Sequence, residues 1–198
     1  RTALDRAAAR VQGKFAQQPA LEAAIQDTIG RTYYQLGLYA EARKQLERAL
    51  DLYRRTLGED DPKTLTTMSR LGRTAWLQAE YQEAGTLLSR AVLGQRRVLG
   101  TDNPDTLYSM NNLANVYRAQ GKDAEAEELY SQTLELRRRV LGPEHPDTLS
   151  STNNLANVYW SQGKYAQAET LYREAMNAQR RVLGPEHPHA AKDAASAG

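Results

Sequence analysis

The chain contains no cysteine among its 198 residues. This absence excludes disulfides, thiolate metal ligands and cysteine nucleophiles, and it gives no sign of an oxidising compartment. Only three histidines are present, so few nucleophile–base pairs or histidine metal sites are possible. No apolar run approaches the roughly 18 residues that a membrane-spanning helix needs, and no signal peptide is visible. We therefore expect no membrane partner and predict a cytoplasmic location.

The chain also has almost no excess of one charge sign over the other. The net charge is +2, from 26 basic and 24 acidic residues, which argues against a dominant phosphate-seeking surface and against a nucleic-acid partner. Arginines cluster in the last turns of predicted helices, where cations complement the helix dipole. The clusters are Arg54 and Arg55; Arg96 and Arg97; Arg137, Arg138 and Arg139; Arg180 and Arg181.

The sequence motifs of catalysis are missing as well. Neither G-x-x-x-x-G-K-[ST] nor G-x-G-x-x-G occurs. His145 and His187 occupy a position that Asp61 and Asn103 fill in other parts of the chain, which indicates helix capping. His187 and His189 have no evident third metal ligand. We predict that the chain is not an enzyme, has no catalytic residues, and needs no cofactor or metal.

What the sequence does contain is a repeat with a period of 42 residues. The Leu-Gly pair recurs at Leu57-Gly58, Leu99-Gly100, Leu141-Gly142 and Leu183-Gly184, and the same step separates Pro62, Pro104, Pro146 and Pro188, and Ala42, Ala84, Ala126 and Ala168. Residues 99–140 and 141–182 match without a gap at more than half of their positions. Such a period indicates one supersecondary unit stacked on itself.

Each repeat predicts a pair of helices. Proline suits the first helical position, a capping residue precedes it, and the glycines fall at the ends of helical patterns. The apolar spacing is helical and never alternates with a period of two, so strands are not expected. The predicted pairs are 20–36 with 39–56, 62–78 with 81–98, 104–120 with 123–140, and 146–162 with 165–182.

This register divides the chain into a half repeat at 1–17, read as a lone helix, repeats at 20–57, 62–99, 104–141 and 146–183, and a tail at 187–198. The tail lacks large apolar residues, which is typical of a terminal solvating cap. We predict a short ordered helix there, and the alternative is a disordered tail. Because the chain starts at Arg1 and not at methionine, we expect a fragment or a processed product.

The spacing Leu113-Ala114-x2-Tyr117, followed by Ala126-x3-Tyr130, resembles the tetratricopeptide repeat (TPR) signature. More specifically, Pro146-Asp147-Thr148-Leu149, Asn153-Asn154-Leu155-Ala156 and Gln162-Gly163-Lys164-Tyr165 resemble the 42-residue TPRs of kinesin light chains and their bacterial relatives. The resemblance implies an all-α superhelical solenoid of antiparallel helix pairs. The stretch from Leu4 to Tyr33 also resembles repeat regions that follow some bacterial serine/threonine kinase domains, which implies at most a catalytic neighbour outside this sequence.

In TPR arrays the first helix of each pair lines a concave groove, so the resemblance implies the candidate site. The predicted groove residues are Asp27, Arg31, Tyr34, Ser69, Arg73, Trp76, Tyr108, Asn111, Asn115, Arg118, Asn153, Asn157 and Trp160. Asparagine is unfavourable in mid-helix, which suggests that something offsets its cost. The resemblance implies that Asn111, Asn115, Asn153 and Asn157 hold a peptide backbone, while hydrogen bonding between repeats is the alternative, favoured for Asn112 and Asn154.

Arginine replaces asparagine at Arg31 and Arg73, which favours a carboxylate or acidic side chain near that end of the groove. The aromatic residues are either peptide anchors or partly buried structure. We predict a protein–protein interaction module that binds an extended peptide segment of an unidentified protein partner. The alternatives are a structural scaffold or self-association module without a groove ligand, and a regulatory arm of a larger kinase-type protein.

Overall fold

The computed structural model describes residues 2–11, 14–15 and 17–183. Across these residues the chain forms nine α-helices and no strand, so the predicted all-α repeat fold is confirmed. The helix predicted within 187–198, together with His187 and His189, lies outside the described residues.

The helices follow one another with short connections, which within each compact unit brings the two helices of a repeat into an antiparallel pair. Their bounds are α1 Thr2–Val11, α2 Pro19–Gln35, α3 Tyr39–Leu57, α4 Pro62–Leu77, α5 Tyr81–Val98, α6 Pro104–Ala119, α7 Asp123–Leu141, α8 Pro146–Ser161 and α9 Tyr165–Leu183. From α2 onwards each bound lies within one residue of the predicted one.

Helix α1 is shorter than the helix predicted over 1–17. It ends at Val11, whose carbonyl oxygen accepts a hydrogen bond from the Lys14 amide at 3.0 Å in a turn. The helix predicted over 1–17 also covers Gln12, Gly13 and Ala16, which lie outside the described residues.

Side chains cap the first helix of three repeats. The Asp61 carboxylate accepts a hydrogen bond from the Lys63 amide at 2.8 Å, and the Asn103 side-chain oxygen accepts one from the Asp105 amide at 2.9 Å. At the equivalent place His145 Nδ1 accepts from the Asp147 amide at 3.1 Å. This capping bond agrees with the structural role predicted for His145.

The chain divides into two compact units, Arg1–Val116 and Tyr117–Gly198. In the first unit α2 packs on α3, α3 on α4, and α4 on α5. The core combines Leu46 and Leu50 of α3 with Met68 and Leu71 of α4 and Ala91 of α5. Contacts between consecutive helices therefore dominate, as expected for a stack of helical repeats.

In the second unit α8 packs against both α7 and α9. The repeated small residues Ala126 and Ala168 are fully buried. Arg137 of α7 is also buried, and its guanidinium donates hydrogen bonds to the Asp147 carbonyl oxygen at 2.7 Å and to the Ser151 hydroxyl at 2.8 Å. These bonds attach α7 to α8.

Candidate functional site

The first unit contains a pocket of about 390 Å³ to which α2, α4 and α6, the first helices of three repeats, contribute most of the lining. The lining residues are Arg31, Tyr34, Gln35, Leu46, Thr66, Ser69, Arg70, Arg73, Gln95, Asp105, Tyr108 and Ser109. Five of the predicted groove residues, namely Arg31, Tyr34, Ser69, Arg73 and Tyr108, come together in it.

The Arg73 guanidinium lies between two tyrosine rings. Its central carbon is 4.8 Å from the ring centroid of Tyr34 and 5.4 Å from that of Tyr108, and it donates a hydrogen bond to the Tyr108 hydroxyl. Two cation–π contacts restrict the rotation of a long side chain. Arg73 is therefore held in place before any ligand arrives.

Burial controls the ionisation of the neighbouring phenol. Desolvation raises the pKa of the Tyr34 hydroxyl to about 12, while the positive charge of Arg73 opposes this shift. The Tyr34 side chain therefore remains neutral at physiological pH and keeps a hydrogen-bond donor at the pocket.

Asp27, a predicted groove residue, holds a residue of the pocket lining in place. It is 7% exposed, and its two carboxylate oxygens accept hydrogen bonds from Arg70 at 2.7 and 2.9 Å. The Thr67 hydroxyl donates a third hydrogen bond at 3.2 Å. Asp27 thus fixes Arg70, a lining residue, and is not itself part of the lining.

The remaining charges leave the pocket positive. Because Asp27 neutralises Arg70, the cations Arg31 and Arg73 are opposed by Asp105 alone in the lining. Arg31 is exposed and makes no ion pair with any described residue. The pocket therefore favours a ligand with a negative group.

Three polar side chains in the lining are fully or nearly fully buried. Two of them satisfy each other, since the Ser109 hydroxyl donates to the Ser69 hydroxyl at 2.7 Å. The third is Gln95 of α5, which is 0% exposed and whose side-chain nitrogen and oxygen find no hydrogen-bond partner among the described residues.

The other predicted residues of the first unit lie outside the pocket lining. Trp76 is half-buried, and no described residue accepts a hydrogen bond from its indole nitrogen, which is buried. Asn111 is buried and Asn115 half-buried. Packing inside the repeats therefore buries part of each of these three side chains and leaves less of them for a ligand.

The second unit carries the remaining four predicted residues. Asn153 is half-buried, whereas Asn157 and Arg118 are exposed. The Asn157 side-chain oxygen accepts a hydrogen bond from the Tyr172 hydroxyl. Trp160 is 59% exposed and its ring packs edge-on against Tyr165, with 4.9 Å between centroids. The face of α8 therefore presents one amide and one aromatic ring to solvent.

Sequence reasoning missed several lining residues, among them Arg70, Gln95 and Ser109. The charge pair between Arg70 and Asp27 has a sequence signal, because the two residues lie about one repeat apart on consecutive first helices. Gln95 has a weaker signal. It lies on a second helix, at a position equivalent to Tyr53, and only the packing of α5 brings it to the pocket.

None of the helices in the described ranges is long and apolar enough to cross a membrane. In the same part of the chain, no group of three or more histidine or carboxylate side chains is arranged to hold a metal ion.

Similarity to known proteins agrees with the geometry. The tetratricopeptide repeat family model matches residues 21–92, 74–139, 109–181 and 147–195. The crystal structure of the kinesin light chain nearly identical TPR-like repeats of Podosopora anserina (Q17M) is 30% identical, with a TM-score of 0.69, 82% of this chain and 76% of that chain covered. No curated protein matches the chain in sequence.

Two other crystal structures share the fold at lower identity. BtubC (BKLC) from P. vanneervenii has a TM-score of 0.78 at 21% identity, with 94% of this chain and 74% of that chain covered. A Rap protein complexed with competence and sporulation factor has a TM-score of 0.72 at 14% identity, with 83% and 44% covered. With four matched repeats and a stack of helix pairs, this chain belongs to the tetratricopeptide repeat family, has repeats of the kinesin light chain type, and is a protein-interaction module.

Proposed function

We propose that the chain binds an extended peptide segment of a protein partner on its first-helix faces, with the pocket of the first unit as the main anchoring point. The observation that carries this proposal is the convergence of Arg31, Tyr34, Ser69, Arg73 and Tyr108 on one cavity. A cavity of this size with aromatic walls and a few polar groups is the usual form of a binding site.

The charge of the pocket defines the preferred peptide. Arg73 is immobilised between Tyr34 and Tyr108, so it loses little conformational entropy when it pairs with a carboxylate. Arg31 is exposed and supplies a second cation. We infer that an acidic side chain or a free carboxylate of the peptide binds here.

Asparagine side chains complete the proposed surface. A carboxamide donates and accepts hydrogen bonds at once, which suits a peptide backbone. We propose this role for Asn111, Asn115, Asn153 and Asn157, and a contact role for Trp76, Arg118 and Trp160. The likeness to the Rap protein, whose crystal structure contains competence and sporulation factor, supports binding by this fold in general.

The experiment is a peptide titration at low and high salt, with a peptide selected from a displayed library. Arg31→Ala combined with Arg73→Ala should remove most of the salt dependence, because exposed charge pairs are screened over about 8–10 Å at physiological ionic strength. Asn115→Ala combined with Asn157→Ala should weaken binding equally at both salt concentrations. Arg55→Ala, in an exposed pair with Asp51 on α3, is the control for lost charge.

If neither double variant changes affinity while both remain folded, the first-helix faces do not bind the peptide. The result would then favour a scaffold or self-association module, which size-exclusion chromatography across protein concentrations detects. A regulatory arm of a larger kinase-type protein would bind its own catalytic domain instead of the selected peptides.

A further inference from the structure

Two glutamines are completely buried in the first unit, and each has its side-chain nitrogen and oxygen without a hydrogen-bond partner among the described residues. They are Gln26 of α2 and Gln95 of α5. Burying an amide without partners is strongly unfavourable, so native proteins keep few such groups and each requires an explanation.

The two glutamines differ in what surrounds them. Gln95 lines the pocket, whereas Gln26 does not. In the 42-residue register Gln26 is equivalent to Met68 and Met110, which are apolar core residues. Only Gln95 borders the pocket, and its amide, closed to solvent in the free chain, would meet a ligand once the side chain turns toward the cavity. Gln95 alone therefore has a functional explanation for its unpaired hydrogen-bonding groups.

We propose that Gln95 recognises a carboxamide side chain, asparagine or glutamine, of the bound peptide. This inference rests on the proposed peptide-binding function and names one side chain that the pocket selects. The Gln95 side chain offers an N–H donor and a carbonyl acceptor in one plane. A second carboxamide matches both groups with two parallel hydrogen bonds.

Other side chains match less well. A carboxylate has no proton to donate to the Gln95 carbonyl oxygen, and a guanidinium or ammonium group has no acceptor for its N–H group. Each would leave one buried polar atom unpaired, which is how polar pockets reject ligands that lack a matching group. The other buried polar groups of the lining, Ser69 and Ser109, already pair with each other.

The rest of the lining suits the same side chain. Leu46 and the rings of Tyr34 and Tyr108 provide apolar surface for its methylene groups. Arg31 and Arg73 remain available for an acidic group elsewhere on the same peptide. The preferred segment thus combines a carboxamide side chain with a nearby carboxylate.

A displayed library of random linear peptides tests this proposal with the full chain as bait. Peptides selected by the wild-type chain should be enriched in asparagine or glutamine at one position. Replacing that residue by methionine or glutamate should weaken binding about tenfold, the loss expected for two neutral hydrogen bonds. This measurement needs only the wild-type protein.

Variants of the chain then assign the effect to Gln95. With Gln95→Met, or Gln95→Leu as the second choice, the same peptide replacement should change affinity by no more than about twofold. Gln26→Met is the matched control and should keep the tenfold difference. Both methionine variants should raise the melting temperature of the free chain, because each removes an unpaired buried amide.

The outcomes separate this inference from the function on which it rests. Peptides whose binding depends on Arg31 and Arg73, but which show no carboxamide preference, would overturn the assignment of Gln95 and leave the peptide-binding function intact. Enrichment of another residue type at the position sensitive to Gln95 would also overturn it. Failure of the folded wild-type chain to select any peptide would overturn both proposals.

Discussion

Arg70 of α4 donates hydrogen bonds to both carboxylate oxygens of Asp27 on α2, at 2.7 and 2.9 Å. The side chain of Asp27 is 11% exposed and that of Arg70 is 31% exposed, so solvent screens this pair far less than a surface ion pair. The bond joins the first helices of two consecutive repeats. It also fixes the position of Arg70 in the pocket lining.

The first prediction concerns this pair. Asp27→Ala should lower the free energy of unfolding by about 2 kcal/mol, because it leaves the partly buried Arg70 and Thr67 without their acceptor. A double-mutant cycle with Arg70→Ala should give a coupling energy of about 1–2 kcal/mol. Urea denaturation of the four proteins measures both quantities.

Arg55 and Asp51 provide the reference pair. They form an ion pair one turn apart on α3, with side chains 72% and 54% exposed, and such pairs contribute about 0.3–0.5 kcal/mol. Equal coupling energies for the two pairs would show that the link between Asp27 and Arg70 is as solvent-exposed in solution as a surface pair.

The helices and their order could be predicted from the sequence, because proline begins the first helix of each repeat and glycine follows each of α2 to α8 except α4. The convergence of Arg31 and Arg73 could be predicted too, since both occupy one position of the repeat. The period places such residues on neighbouring first helices without any knowledge of side-chain packing.

The period could not predict which polar residues are already used inside the fold. Asp27 shares its repeat position with Ser69 and Asn111, yet the structure buries its carboxylate against Arg70, which sits at a different position of the repeat. Tyr34 and Tyr108 were predicted as either peptide anchors or partly buried structure, and in the structure both contact Arg73. Such contacts depend on the side chains of neighbouring repeats and not on the position within one repeat.

A second prediction concerns close packing within a helix pair. A Cβ atom at Gly72 would lie 2.8 Å from Leu88 Cγ and 3.3 Å from the Ala84 carbonyl oxygen. Gly72→Ala should therefore lower the free energy of unfolding by about 1 kcal/mol, because overpacking of about 1–3 kcal/mol exceeds the gain in helix propensity. Thermal or urea denaturation checks the sign.

The other repeats indicate how to relieve this clash. Two repeat positions, those of Gly72 and Leu88, vary together along the chain. They hold glycine with leucine in the first two repeats and alanine with tyrosine in the last two. The pairs are Gly30 and Leu46, Gly72 and Leu88, Ala114 and Tyr130, and Ala156 and Tyr172. We expect Leu88→Tyr to offset Gly72→Ala, with a favourable coupling of about 1 kcal/mol. Additive effects would contradict a direct contact between these positions.

A third prediction concerns stability in alkali. Burial raises the pKa of the Tyr34 hydroxyl from 10.0 to about 12. Between about pH 10 and 12 the unfolded chain therefore releases this proton while the folded chain retains it, so stability falls as the pH rises through this window. Below about pH 10 the contribution of the protonated phenol is fully present.

Tyr34→Phe removes the ionisable group and tests whether stability falls with rising pH because of this phenol. The difference in unfolding free energy between wild type and Tyr34→Phe should be constant near neutral pH and should move in favour of the variant as the pH rises from about 10 to 12. Urea denaturation at several pH values measures it. A difference that stays constant up to pH 12 would mean that Tyr34 ionises alike in both states.

The final prediction concerns Ala79, which follows α4 with a φ of +62°. The equivalent residues of the other three repeats are Gly37, Gly121 and Gly163, with φ between +73° and +74°. A left-handed backbone costs an alanine about 1–2 kcal/mol, and replacement by glycine removes this cost. The greater conformational freedom of glycine in the unfolded chain offsets part of the resulting stabilisation. Ala79→Gly should therefore raise the free energy of unfolding by about 0.5–1 kcal/mol.

Gly37→Ala is the reciprocal variant, because no atom lies within 4 Å of the position that its Cβ would occupy. Its effect should be equal in size and opposite in sign to that of Ala79→Gly, since only the backbone conformation distinguishes the two residues there. Denaturation midpoints of both variants and the wild type measure the pair. If Ala79→Gly instead destabilises the chain, the turn after α4 does not adopt the left-handed conformation, and the four repeats do not share one turn geometry.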